Sequence, residues 1–535
     1  MEIPVSGPEA VQVTMESPKQ TGTYMSKSGR HWLFPLGLTL IVAVRAVFWL
    51  PSELSFRNFA FWDLGSFQHL DRLIGQGLRP GVDFGYTYGL LPVLIQHLFF
   101  AAFGSSHWTT LGMLVLYLLS MLTFWTLLTR EIGQSWANFG ILLGLADMMI
   151  FFVPWPPTLA HIMMKVFIAF SFYFILKQRL SLALSFAALG ALSVPSLAIA
   201  LGGLITLIIA WEWWRSPGRT LRGLVTQFAP AAALYAGCVL LLTTFFGWRS
   251  VWPSLLPTGG ARHYRAMKFG IFGQGRYFLH PPGAHLGYYL LTPAGIWICC
   301  SGLLVVLGCL AALKIAKTSS LTGRSLLIVV CCAFHLIFVF VAYGNYLSYE
   351  LFSFVLTAGV LVGVSSWTNR NLRIAVSNLV LVFGMLSQFS GIKEEMQTWR
   401  TESTSPDTAF LYAPNDLQPE WKSVLSVAKN RRVFLLSYGN GVDSYYPGIG
   451  TPQSWFLLPA LPLPPEDSYV LQQIRAADVV IEETEVATQY IDHNKEWQAA
   501  LADFPVKVSG RYFRIWIKDP AVGSELLKTA DFHAN

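Results

Sequence analysis

Phe61-Trp62-Asp63-Leu64-Gly65-Ser66-Phe67-Gln68-His69-Leu70-Asp71-Arg72, followed by Gly77-Leu78-Arg79-Pro80-Gly81-Val82-Asp83-Phe84-Gly85-Tyr86-Thr87-Tyr88-Gly89, is a polar, turn-rich stretch in an otherwise greasy chain. It lies between a first apolar run near 32–50 and a second at 89–103. Ionisable groups at the mouth of a membrane helix are costly unless they are solvated or used, so their presence marks a functional segment. Working outward, the 535 residues are 53% hydrophobic and only 13% charged, which excludes an ordinary soluble enzyme and indicates a polytopic membrane protein.

The net charge of +7 is unevenly spread: residues 391–535 carry −6 and the first 390 carry +13. The basic residues fall in loops between apolar runs, which points to anionic membrane partners and not to nucleic acid. All six cysteines lie within apolar runs and show no metal-ligand spacing. Residues 1–31 are polar, have no cleavable-leader pattern and read as a disordered cytoplasmic tail.

Apolar runs long enough to cross about 30 Å of hydrocarbon occur near 32–50, 109–129, 137–153, 158–176, 196–213, 224–247, 290–313, 325–342, 350–367 and 374–390, with a shorter one at 180–194. The basic clusters Arg130, Lys177/Arg179, Arg215/Arg219/Arg222, Lys314/Lys317/Arg324 and Arg370/Arg373 share the cytoplasmic side with the N-terminus only if 89–103 does not cross. That segment is therefore expected to lie in the interface. The expected fold is a polytopic α-helical membrane protein of about eleven spans (32–390), with external loops at 51–108 and 248–289 and a small extracytoplasmic α/β domain at 391–535. Within that domain the pattern predicts strand 433–438, helix 467–477, strand 479–482, helix 487–504 and strand 506–517. The turn Ser437-Tyr438-Gly439-Asn440-Gly441 lacks the spacing of a nucleotide-binding loop.

The loop resembles the first external loop of GT-C glycosyltransferases, polytopic enzymes that use polyprenyl-phosphate sugars and include the aminoarabinose transferase and protein mannosyltransferase groups. The resemblance rests on Asp63 soon after the first span, Gln68 and Asp71 on a following helix, Gly77-x-x-Pro80-x-x-Asp83-Phe84, and Tyr88-Gly89-x-x-Pro92. It implies a polyprenyl-phosphate sugar donor, a lipid, glycan or protein acceptor, and Asp63 as catalytic base. Many members carry two adjacent acids here, but Leu64 follows Asp63, and a lone carboxylate is a poor site for a hard cation; no metal or other cofactor is expected.

Transfer to a hydroxyl needs a base and positive charge for the departing phosphate. Asp63 is the first candidate base and Asp83 the second; the bland reading of Asp63 is the N-cap of a juxtamembrane helix running to about Ile74, and that of Asp71 is pairing with Arg72 or facing headgroups. Phosphate candidates are Arg79, Arg262, Arg265, Lys268 and Arg276, the last four in an external loop where cations run against the positive-inside tendency; that loop could equally bind anionic headgroups. His161 and Lys165, one helical turn apart, either hold phosphate or snorkel to headgroups. Tyr88, with Tyr86 and Trp62, either stacks on a sugar face or belongs to the interfacial aromatic belt. Asp147, within the third span, either lines the site or bonds locally. Competing classes are a transporter or lipid flippase, which places charges through the depth of several spans, and a non-catalytic membrane scaffold.

Overall fold

The computed structural model describes residues 32–62, 64–86, 88–132, 159–256, 322–341, 395–453, 464–489, 491–528 and 533–534, with short helical pieces within 139–146, 305–315 and 392–393. Five helices among these are long and apolar enough to cross a membrane: α1 (Leu33–Glu53), α5 (His107–Ile132), α6 (Leu159–Leu176), α8 (Pro195–Arg215), whose qualifying stretch is Ala198–Arg215, and α9 (Leu221–Phe246). Their outer faces carry unpartnered hydrocarbon. On α1, Leu36, Leu40, Val44 and Val47 are exposed at a spacing that keeps them on one stripe. Such a stripe is stable against lipid, not water. A further apolar helix, α10, runs Gly323–Val341. Most residues of the expected spans 137–153, 290–313, 350–367 and 374–390 lie outside the described residues.

Two segments differ in kind from full spans. Leu91–Phe103 (α4) has 13 residues, or about 20 Å of helix, too short for the hydrocarbon. Leu180–Ala191 (α7), expected as a span over 180–194, has 12 residues, or about 18 Å. The shortfall at its end is met by the first loop: the Gly89 amide donates to the Ser193 carbonyl at 2.8 Å and the Leu91 amide to the Leu192 carbonyl at 3.2 Å. A side chain at 89 would overlap the Leu192 carbonyl, so glycine is required for this approach.

Helix ends gather at two faces. At one, the Arg130 guanidinium stands 4.6 Å from the Trp32 ring, Lys177 donates to Glu131 at 2.9 Å, and Arg324 donates to the Glu131 carbonyl at 3.4 Å. At the other lie the first loop, with helices α2 (Phe56–Ala60) and α3 (Gly65–Gly75), and the C-terminal sheet. The helix of α3 ends where the pattern placed it, near Ile74.

The C-terminal region has a two-stranded ribbon, β1 (Glu402–Thr404) with β2 (Tyr412–Pro414), and a six-stranded mixed sheet in the order β4-β3-β5-β7-β6-β8. Its strands are β3 (Val433–Leu436), β4 (Ile449–Gly450), β5 (Val479–Glu483), β6 (Val506–Ser509), β7 (Phe513–Ile517) and β8 (His533–Ala534). β3 is parallel to β4 and β5; the remaining pairs are antiparallel.

Two sequence expectations are corrected. The strand over 506–517 is a hairpin, because the Glu420 carboxylate, itself 3% exposed, accepts the Tyr512 and Phe513 amides and turns the chain at 510–512. The helix over 487–504 is broken: Thr484–Gln489 ends, and Asn494 starts Lys495–Leu501 by accepting the amides of Glu496 and Trp497.

Sheet and loop share one core. Trp421, fully buried on helix Leu417–Ala428, has the rings of Phe56 and Phe61 from the loop and Tyr446 and Phe513 from the sheet region at 5.3–5.5 Å. The Tyr412 amide donates to the Leu54 carbonyl at 3.0 Å, extending the ribbon onto the end of α1. Within α1, Arg45 pairs with Glu395 through Nη1 and Nη2, the latter at 2.9 Å, and both side chains are buried.

Candidate active site

The descent of the first loop to the short end of α7 fixes the segment 84–89. Tyr88 then lies edge-on to His161 on α6, ring centroids 4.7 Å apart, with Tyr86 6.1 Å behind it. One turn further along α6, Lys165 is 2% exposed. Lysine is rarely buried so completely, and here it lies in the half of an apolar helix nearest the loop. Tyr86 is half-buried, and the loss of solvent drives its phenol pKa upward. Three of the sequence candidates, Tyr88, His161 and Lys165, are thus close together.

Arg79 and Asp83 meet each other instead. The Arg79 amide and Nε donate to Asp83 Oδ2 at 2.8 and 3.0 Å within a tight turn in which Gly81 has φ +74°. The hydrogen bond from Arg79 holds the Asp83 carboxyl below its ordinary pKa, which makes it a weaker base. The pair satisfies itself near the surface. Asp71 does not take Arg72: it sits 2.8 Å from His97 on α4, and burial raises its pKa against the pull of that imidazole. Asp63, Asp147, Arg262, Arg265, Lys268 and Arg276 lie outside the described residues. Among the described residues no three His, Cys, Asp or Glu side chains gather as a metal site.

On the sheet side, the turn after β3 presses on the chain around position 63. The Gly439 amide donates to the Phe61 carbonyl at 2.6 Å, and the Trp62 and Tyr438 rings lie 5.2 Å apart. Asp443, 1% exposed, receives His69 Nδ1 at 2.8 Å, Arg72 Nη2 at 2.7 Å and the Thr451 hydroxyl at 2.7 Å. Burial alone would raise its pKa, but His69, Arg72 and Thr451 together hold it below the ordinary carboxylate value. Arg57 on α2 reaches Glu485 and, at 3.5 Å, Glu483. Sequence reasoning missed His69, Asp443, Arg57 and Glu483. The signal available was the pair Gly439 and Gly441: the spacing excluded a nucleotide loop, but two glycines in one turn also permit close backbone approach.

Glu483 yields a pH prediction. It is 4% exposed, and burial pushes its carboxyl up from 4.5 to about 7, with Arg57 opposing and Glu485 adding to the rise. The folded chain therefore holds this proton more tightly than the unfolded one. Stability is full below about pH 4.5 and declines as pH rises to about 7, by about 3 kcal/mol at most from this group. Glu402, raised to about 7 by burial, acts in the same direction. The purified protein is expected to melt lower at pH 8 than at pH 5.5, and Glu483→Gln to shrink that difference. An unchanged pH dependence in the variant would exclude Glu483 as its source.

No family model matches the chain, and no curated protein matches it. Among solved structures, ArnT from Cupriavidus metallidurans bound to undecaprenyl phosphate is similar at 12% identity, over 92% of this chain and 99% of that one, with a TM-score of 0.34. A likeness of that size leaves the functional argument to the residues of the chain itself.

Proposed function

We propose that this membrane protein transfers a glycosyl residue from a polyprenyl-phosphate sugar to an extracytoplasmic acceptor. The observation that carries the reading is the burial of Lys165 in an apolar helix, one turn from the His161 that meets Tyr88 of the polar first loop. An amphiphile with an isoprenoid tail and a phosphate head matches that combination: lipid-facing helices for the tail, a buried cation for the head and an aromatic rim for the sugar. The likeness of the stretch from Asp63 to Pro92 to the GT-C loop supports the same assignment.

In this reading the acceptor hydroxyl oxygen attacks the anomeric carbon and Asp63 takes its proton. The bond from that carbon to the phosphate oxygen breaks, and its electron pair leaves with the polyprenyl phosphate. Lys165, His161 and the cations Arg262, Arg265, Lys268 and Arg276 offset the charge developing on the phosphate. Direct displacement inverts the anomeric centre. Arg79 and Asp83 shape the loop turn. The gathering of Arg130, Lys177 and Arg324 at the face opposite the loop supports a cytoplasmic N-terminus and an extracytoplasmic C-terminal domain in the plasma (inner) membrane.

The test is incubation of purified protein with a panel of polyprenyl-phosphate sugars and membrane-derived acceptors, following release of free carrier phosphate. Release with one donor is expected. Transbilayer movement of the intact donor without cleavage would overturn the transferase reading in favour of a flippase.

A further inference from the structure

The turn 437–443 touches the first loop on both sides of position 63. Before it, Phe61 accepts the Gly439 amide and Trp62 packs on Tyr438. After it, the backbones of Gly65 and Gly441 meet with no side chain between them; a methyl group on Gly441 would overlap both Gly65 and the Phe59 carbonyl. Further along α3, His69 and Arg72 converge on Asp443.

Asp443 is placed as a bridge. Its carboxylate accepts from two residues of the loop helix, His69 and Arg72, and from two of its own region, Thr451 and, at 3.3 Å, Ser444. A carboxylate that served only its own turn would have no use for the first two. Removing one member of such a buried charged set leaves the others poorly satisfied, so the contact fixes α3 in both position and rotation.

We propose that the turn 437–443 is a positioning element of the candidate active site, with Asp443 its anchoring residue, so that the C-terminal sheet sets the placement of Phe59–Trp62 and of α3. The inference deepens the transferase reading and rests on it. The sheet is then part of the active site and not an appended module. Asp443 acts through α3 and touches no substrate.

The experiment uses the full-length protein and two variants, Asp443→Asn and His69→Gln. For each, kcat and KM for the polyprenyl-phosphate sugar are measured beside amide hydrogen exchange at 65–75 and at the strand residues 479–483 and 513–517. The expected result is a kcat lower by about 10²-fold, the scale of a misplacement near 1 Å. KM for the donor changes little, because its phosphate contacts lie on α6 and the basic loop. Exchange at 65–75 rises while both strands stay protected. A kcat equal to wild type with faster exchange at 65–75 overturns the proposal, as does unchanged exchange at 65–75.

Should Asp443→Asn also expose the strands, His69→Gln decides, since it alters the loop side and leaves the sheet's own contacts intact. Lost kcat with protected strands then supports the proposal, and retained kcat overturns it. A wild-type protein inactive on every donor is a different outcome, and counts against the function proposed above.

Discussion

Asp63→Asn lowers kcat for carrier release by about 10²–10⁴-fold, the range expected when a general base is lost, and leaves the melting temperature and detergent elution profile as in wild type. The amide keeps the shape of the side chain and removes its ability to take a proton. The paired control is Asp83→Asn. Asp83 is already engaged by the Arg79 amide and guanidinium, and its pKa is held low, so this variant retains activity within a few-fold of wild type. If the ranking is reversed, the base is Asp83 and the assignment of Asp63 is wrong. If neither variant loses activity, the base lies elsewhere. Both chains must be shown folded by their melting temperature and detergent elution profile.

Lys165→Met has the second largest expected effect, a fall of about 10²–10³ in kcat/KM, the loss seen when one preorganised donor to a developing anion is removed. Methionine fills a similar volume without charge. Because Lys165 is 2% exposed and methionine keeps most of its packing volume, the melting temperature is expected to change far less than the activity. Activity and stability therefore move apart. A variant that loses both together marks Lys165 as structural, and one that keeps its kcat/KM removes the residue from the phosphate site. Lys165→Arg is no simple conservation: the planar, broader guanidinium has to fit a site where the lysine is 2% exposed and is expected to recover only part of the rate.

What the sequence disclosed and what it hid divide along physical lines. Length and apolarity announced α1, α5, α6 and α9, because a membrane helix is specified by its own residues. The same local logic located the end of α3, whereas 89–103 was set apart by the sidedness of the basic clusters and forms a helix of 13 residues. Partners distant in the chain were not legible. Asp71 has Arg72 beside it, yet takes His97, because neighbours on a helix point to different faces and Arg72 turns to Asp443. The hairpin at 510–512 was hidden because its turn is made by a carboxylate about 90 residues earlier, Glu420. The docking of the sheet onto the loop was missed for the same reason. Of the candidate site, the grouping of Tyr88, His161 and Lys165 was half visible: the helical spacing of His161 and Lys165 showed in the sequence, while the approach of Tyr88 depends on the backbone bond from Gly89 to Ser193.

The Arg45–Glu395 pair carries a consequence for biogenesis. The two residues are separated by 350 positions, and the arginine is the thirteenth residue of a 21-residue apolar helix. At about 5–20 residues per second, a ribosome takes on the order of 20–70 s to deliver the acid after the base. Throughout that interval the guanidinium of the nascent first helix lacks this carboxylate, and an arginine at a helix centre costs about 3 kcal/mol on insertion scales. Chains released before residue 395 never gain that partner, so truncated and finished copies differ in the charge balance of the first helix.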